Sequence, residues 1–167
     1  MAKPFLPDTF EPPRCFESSD FYFRELEERV AEQDFEAVAS SQKRLQGIFG
    51  PTSDWPRSDF TLAENRLSLQ VHKREFESRE AFAYSVFNKA KDKCLGSIYI
   101  DPSQSANYDS EVYLWMRDDS IHLDALLYQT VIDWLVESWP FAKVTFPGRA
   151  ISWGEWHKEL YSQRDSQ

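Results

Sequence analysis

The stretch SEVYLWMRDDSIHLDALLYQTVIDWL, residues 110–135, restricts the fold more than any other part of the chain. In its opening part Val112, Leu114 and Met116 fall on one face and Tyr113 and Trp115 on the other. Both faces need cover, as in a central strand flanked on each side. The period then changes. From about Leu123, apolar residues recur at 123, 126, 127, 131, 134 and 135, with a second row at 125, 128, 132 and 136. So wide an apolar surface predicts a helix buried against the sheet. AKVTFPG (142–148) reads as a further strand ended by Pro-Gly. Strand, helix and strand in this order place the two strands parallel, joined by a crossover. Between the first strand and the helix lies RDDSIHLD (117–124). A strand running into a helix N-terminus is a common place to hold a phosphate, yet here Asp118, Asp119 and Asp124 sit where an anion would go.

The rest of the chain supplies the other layers. Residues 1–19 carry four prolines and read as an irregular arm, either packed by Phe5, Leu6, Phe10 and Phe16 or mobile; residues 20–167 read as a single domain. FYFREL (21–26) is a strand. Asp34 is placed to start a helix, on which Phe35, Val38, Ala39, Leu45 and Phe49 share a face. GIFGPTSDWPRSD (47–59) must end it, with two glycines and two prolines. TLAE (61–64) is a capping box, Thr61 three residues before Glu64, and opens a helix to about Ser78. AFAYSVFN (81–88), CLGSIYI (94–100) and EVYLWMR (111–117) form a meander, with Gly96 marking a bulge or a close backbone approach. SWGEWHKELYSQ (152–163) is a terminal helix. The order β α α β β β α β α predicts an α/β (α+β) domain with a mixed central sheet and helices on both faces.

Charge narrows the function. The formal net charge is -9, which argues against general binding to nucleic acid or to an anionic membrane, since phosphate contacts need clustered Lys and Arg. It is compatible with a cationic substrate. Cys15 and Cys94 are far apart and fit no zinc spacing, as expected of a reducing cytoplasm. Cys94 reads as a buried small hydrophobe. His72, His122 and His157 have no metal-ligand spacing, so no metal is expected. No stretch approaches a membrane span or a signal peptide.

From about residue 21 to 149 the chain resembles the Gcn5-related N-acetyltransferase (GNAT) family. FYFREL with DFEAVASSQ is similar to the family's opening strand and helix. CLGSIYI is similar to its third strand, and EVYLWMR with ALLYQTVIDWL to the strand and helix that carry acetyl-coenzyme A. The resemblance implies an acyl-CoA N-acyltransferase-like fold and acyl-CoA-dependent transfer of an acetyl group to an amine, here a small one. It implies that backbone groups of Leu114, Trp115 and Met116 meet the coenzyme. Arg117, His122, Leu123 and Asp124 are the corresponding loop and helix-start residues. It also makes Glu111 the candidate base and Tyr161, the only Tyr after the last strand, the candidate acid. Bland readings stand beside these: a strand-end carboxylate, a terminal aromatic, and Asp and Ser as ordinary helix caps. The family's loop pattern Gln/Arg-x-x-Gly-x-Gly/Ala is replaced by a glycine-free, acidic one. Glycine lets backbone N–H groups approach a phosphate closely, and loop aspartates compete for the helix N-terminus. The family's closing helix and hairpin have only 18 residues here, which leaves two expectations, an acceptor side that is open or one completed by a second copy of the chain in a homodimer. The competing expectation is a catalytically inactive domain that keeps the fold as a binding or dimerising module.

Overall fold

A computed structural model describes residues 4–165. Its sheet has six strands in chain order: β1 (Cys15–Glu17), β2 (Phe21–Glu25), β3 (Phe82–Asn88), β4 (Cys94–Pro102), β5 (Ser110–Met116) and β6 (Val144–Thr145). Every neighbouring pair is antiparallel except β5 and β6, which run parallel across the crossover helix α4 (Asp124–Ser138). The remaining helices are α1 (Ala31–Ser40), α2 (Gln42–Leu45), α3 (Leu62–Glu77) and α5 (Trp153–Asp165). The fold class expected from the sequence is thus present.

Strand alternation divides the core. Phe23, Tyr84, Ile98, Ile100, Val112, Leu114 and Met116 face α4, which buries Leu127, Val131, Trp134 and Leu135 against them. Ala83, Phe87, Tyr99, Tyr113 and Trp115 face the other way, onto Ala37, Val38, Leu45 and Leu69 of α1, α2 and α3. β5 is buried on both faces along its whole length. The second apolar row of α4 is only partly used: Tyr128 and Ile132 pack on the core, while Val136 is 77% exposed.

Gly96 lies opposite Met116 in the β4–β5 register, and a Cβ there would stand 1.9 Å from the Trp115 carbonyl oxygen. No side chain fits that gap, so glycine is what lets the two backbones close up. Thr61 caps α3 as expected, its hydroxyl accepting from the Glu64 N–H at 3.2 Å. The reciprocal half of the box is absent because the Glu64 carboxylate accepts from Arg57 at 2.8 Å.

Three expectations are corrected. The arm packs by Phe5, stacked on Phe141, and by the buried Leu6, but it is not irregular throughout: Cys15–Glu17 pair with β2 as an edge strand. Asp34 does not start a helix. It lies inside α1, which a 3-10 turn at Glu28–Val30 opens earlier, and its carboxylate is taken by tertiary partners. The last strand is two residues, not seven. Pro147 has no N–H to offer a ladder, and Gly148, at φ 85°, turns the chain back so that its N–H donates to the Ile151 carbonyl at 2.8 Å.

Candidate active site

Two clefts meet β5, one towards each end. The first, of about 1020 Å³, opens on the α1/α3 side at the start of the strand. Asp101 and Glu111 are direct cross-strand partners in β4 and β5 and share this face with Tyr99 and Tyr113. Two like charges directly opposite one another destabilise a sheet, so their juxtaposition marks a site. Glu111 is 3% exposed. Its carboxylate accepts from the Gln104 N–H at 2.7 Å, from Gln104 Nε2 at 3.0 Å and from the Tyr113 hydroxyl. Asp101 is half-buried, and burial, with the nearby Glu111 and Glu75 charges, pushes its carboxyl up to about 7.

Asp34 reaches the same cleft from α1. Burial pushes it up to about 6, against the pull of hydrogen bonds from Asn65 Nδ2 at 3.0 Å and Ser97 Oγ at 3.5 Å. His72 of α3 also lines the cleft, and burial lowers its imidazole to about 4. It is therefore neutral near pH 7 and cancels no carboxylate charge. Arg79 at the rim is engaged elsewhere, donating to the Pro7 carbonyl at 2.9 Å. The rest of the wall is aromatic, with Phe49, Trp55 and Tyr99. An acidic, aromatic-walled cleft suits a cation.

The second cleft, of about 320 Å³, lies where β5 and β6 part. They pair only at Ser110–Val144 and Glu111–Thr145. Beyond that point the β5 edge turned away from β4 meets no strand. Two guanidinium groups fill it. Arg149 donates to the Leu114 carbonyl at 3.3 Å, and Arg44 of α2 donates to the Met116 carbonyl. In a strand the N–H and C=O of one residue point to the same side. The N–H groups of Leu114 and Met116 therefore face this cleft, whereas the backbone of Trp115 faces β4.

The glycine-free loop is wound as 3-10 turns over Asp118–Leu123 and feeds α4. Three of its N–H groups have partners within the protein: Asp118 donates to Ser41 Oγ at 2.8 Å, Ser120 to the Arg117 carbonyl at 3.1 Å, and Asp124 to the Ile121 carbonyl. Its acids have partners too. Asp118 pairs with Arg44, Asp119 with Lys93 at 3.0 Å and with Arg117 at 2.9 Å, and Asp124 with Arg149 at 2.8 and 2.9 Å.

The sequence-derived candidates thus separate. Glu111 lines the first cleft and Leu114 and Trp115 the second, the Trp115 Nε1 donating to the Tyr99 hydroxyl at 3.0 Å; Met116 is linked to the second cleft by its carbonyl, which accepts from Arg44. Arg117 faces α1 instead, donating to both carboxylate oxygens of Glu36 at 2.6 and 2.7 Å. His122 is exposed and lines neither cleft; Leu123 packs on the core, and Asp124 holds Arg149. Tyr161 is 66% exposed and lines neither cleft. It lies five residues past the buried Trp156, about 140° around the helix from it. Asp101, Asp34 and Arg44 are functional candidates that the sequence reading passed over. The alternation of the strand continues from Tyr99 to Asp101 on one face, whereas DPSQSANYDS (101–110) reads as a loop in the sequence. Among the described residues no group of His, Cys, Asp or Glu is placed to hold a metal, and no helix is long and apolar enough to cross a membrane.

By sequence the chain matches no family model and no curated protein. By structure it superposes on solved acetyltransferases. One, described as an acetyltransferase, gives a TM-score of 0.62 at 16% identity, covering 79% of this chain and 72% of that one. RimL, a ribosomal L7/L12 alpha-N-protein acetyltransferase solved with coenzyme A, gives 0.55 at 17%, covering 71% and 64%. FdhC, a nucleotide-linked sugar GNAT, gives 0.55 at 11%, covering 79% and 71%. This chain has the GNAT fold. The superposed proteins act on a protein terminus and on a sugar, so the fold by itself names no acceptor.

Proposed function

We propose that the protein is an acyl-CoA-dependent N-acyltransferase whose acceptor is a small cationic amine. The observation that carries this reading is the meeting of two clefts on one strand. An acidic cleft sits at the start of β5, and an open, extended backbone edge lies beyond it. The second cleft fits an acyl-coenzyme A arm. Leu114 and Met116 offer N–H and C=O groups in strand geometry for the arm's amides, and Arg44 and Arg149 offer positive charge. When bound, the coenzyme would supply an activated acyl thioester.

The chain's own residues do the rest. The acidic cleft holds the amine as a cation between carboxylates and aromatic faces. Asp101, kept basic by burial and by the nearby Glu111 charge, accepts the proton the amine gives up. Tyr161 has no part in this reading.

The test incubates the protein with acetyl-coenzyme A and a panel of small cationic amines, following free thiol and the mass of each amine. Turnover that Asp101→Asn reduces by a factor of about 10²–10⁴ supports the proposal. Absence of turnover with any amine, despite tight coenzyme binding, would remove the small-amine acceptor.

A second reading is favoured by the internal pairing of the loop: a domain that retains the fold for binding alone. A melting curve with millimolar acetyl-coenzyme A separates the two. A ligand at a hundred times its Kd adds about 2.7 kcal/mol, and an unchanged curve favours the silent domain.

A further inference from the structure

Four cations meet the three loop acids, and they divide into two kinds. Arg117 is structural: its side chain is 6% exposed and is clamped by Glu36 and the Cys94 carbonyl. Lys93 simply offsets Asp119 at the surface. Arg44 and Arg149 differ from both. They come from opposite walls of the cleft, α2 and the turn after β6, and converge on the same open edge of β5. Each holds one carbonyl of that edge and one aspartate of the loop. Their side chains are 38% and 26% exposed, and those of Asp118 and Asp124 are 47% and 24% exposed. Neither pair is sealed from water, so each can be exchanged for a competing anion. A guanidinium binds a phosphate bidentately as well as it binds a carboxylate. Releasing the two arginines also frees the Leu114 and Met116 carbonyls.

We infer that Arg44 and Arg149 are the diphosphate-binding residues of this chain, each trading its aspartate for phosphate oxygens when a phosphate-bearing acyl carrier enters. This rests on the acyltransferase reading. Positive side chains thereby replace the bare backbone that the loop lacks. Asp118 and Asp124 are built-in competitors that keep the cleft neutral until a stronger anion arrives. The exchange breaks and forms only ion pairs and hydrogen bonds.

Calorimetry with two probes tests it: acetyl-coenzyme A, and acetyl-pantetheine, which carries the same thioester arm without the diphosphate. The exchange requires Arg44→Gln and Arg149→Gln each to weaken acetyl-coenzyme A by about tenfold or more, as expected for losing a charge-assisted bond. Acetyl-pantetheine binding should not weaken. The double variant Asp118→Asn/Asp124→Asn keeps both arginines and should tighten acetyl-coenzyme A, again with no gain for acetyl-pantetheine. Circular dichroism checks the fold of each variant, and if the arginine variants do not fold, the double variant alone decides. Unchanged coenzyme affinity in the arginine variants overturns the inference, as does weakened affinity in the double variant; the acyltransferase reading survives both. Wild-type protein that binds neither probe overturns that reading and this one together.

Discussion

At its start β5 carries Glu111 into a wide cleft that gathers Asp34, Glu75 and Asp101 around a neutral histidine. Towards its other end the strand meets a narrower cleft in which Arg44 and Arg149 each already hold an acid. The two regions belong to one strand and to one strongly acidic chain, yet one accumulates charge and the other cancels it. Accumulated charge behind low-dielectric walls shifts protonation and attracts a cation; cancelled charge is cheap to rearrange. A net charge of -9 agrees with the first cleft but gives no sign of the paired arginines in the second.

The largest expected effect falls on the accumulating side. Asp101→Asn should lower acyl transfer by about 10²–10⁴-fold, and wild-type turnover should rise with pH through about 7, where Asp101 releases its proton. A variant as active as wild type, with the same pH profile, would erase the functional distinction between the clefts.

Next comes the junction that holds β4 against β5. Gly96→Ala puts a methyl carbon 1.9 Å from the Trp115 carbonyl. Overpacking of this kind costs about 1–3 kcal/mol or more, read as a lower denaturation midpoint with an unchanged slope. A midpoint at the wild-type value would show that the strands can move apart.

A pH series gives a smaller signal of defined sign. Asp101 and Asp34 are raised from 3.8 to about 7 and about 6. Between about pH 4 and 7 the unfolded chain has released protons that the native protein still holds. The contribution of these groups is full below about pH 4 and is lost as pH rises through their native values. Melting temperatures should show this decline, and Asp101→Asn should flatten it. A variant whose stability kept the full wild-type slope would place the proton elsewhere.

The smallest effect belongs to Tyr161. Tyr161→Phe should leave turnover unchanged and shift stability by no more than about 0.5 kcal/mol, because the side chain is 66% exposed. A large loss of turnover would bring α5 back into the site.

Most of the layered fold was readable. Alternation at 112–116 and the helical spacing from Leu123 are local consequences of which faces are covered, and they placed β5 and α4 on the correct sides of the core. The capping Thr61 and the close approach at Gly96 were equally local. The site was only partly readable. Glu111 is legible as a candidate, but its partner Asp101 falls in a polar, loop-like stretch of the sequence, and Asp34 reads as a helix start although it lies inside α1. Arg44 offered no signal at all, since its meaning lies in a carbonyl 72 residues away.

The amino-acid order alone determined the periodicities, and through them the elements, their buried faces and the parallel crossover, because each depends on neighbours within a turn or a pleat. Tertiary structure decided where charge is neutralised. Ion pairs such as Arg149 with Asp124 join segments distant along the chain, and whether a carboxylate is satisfied or left raised depends on what the fold brings to within a few ångströms of it.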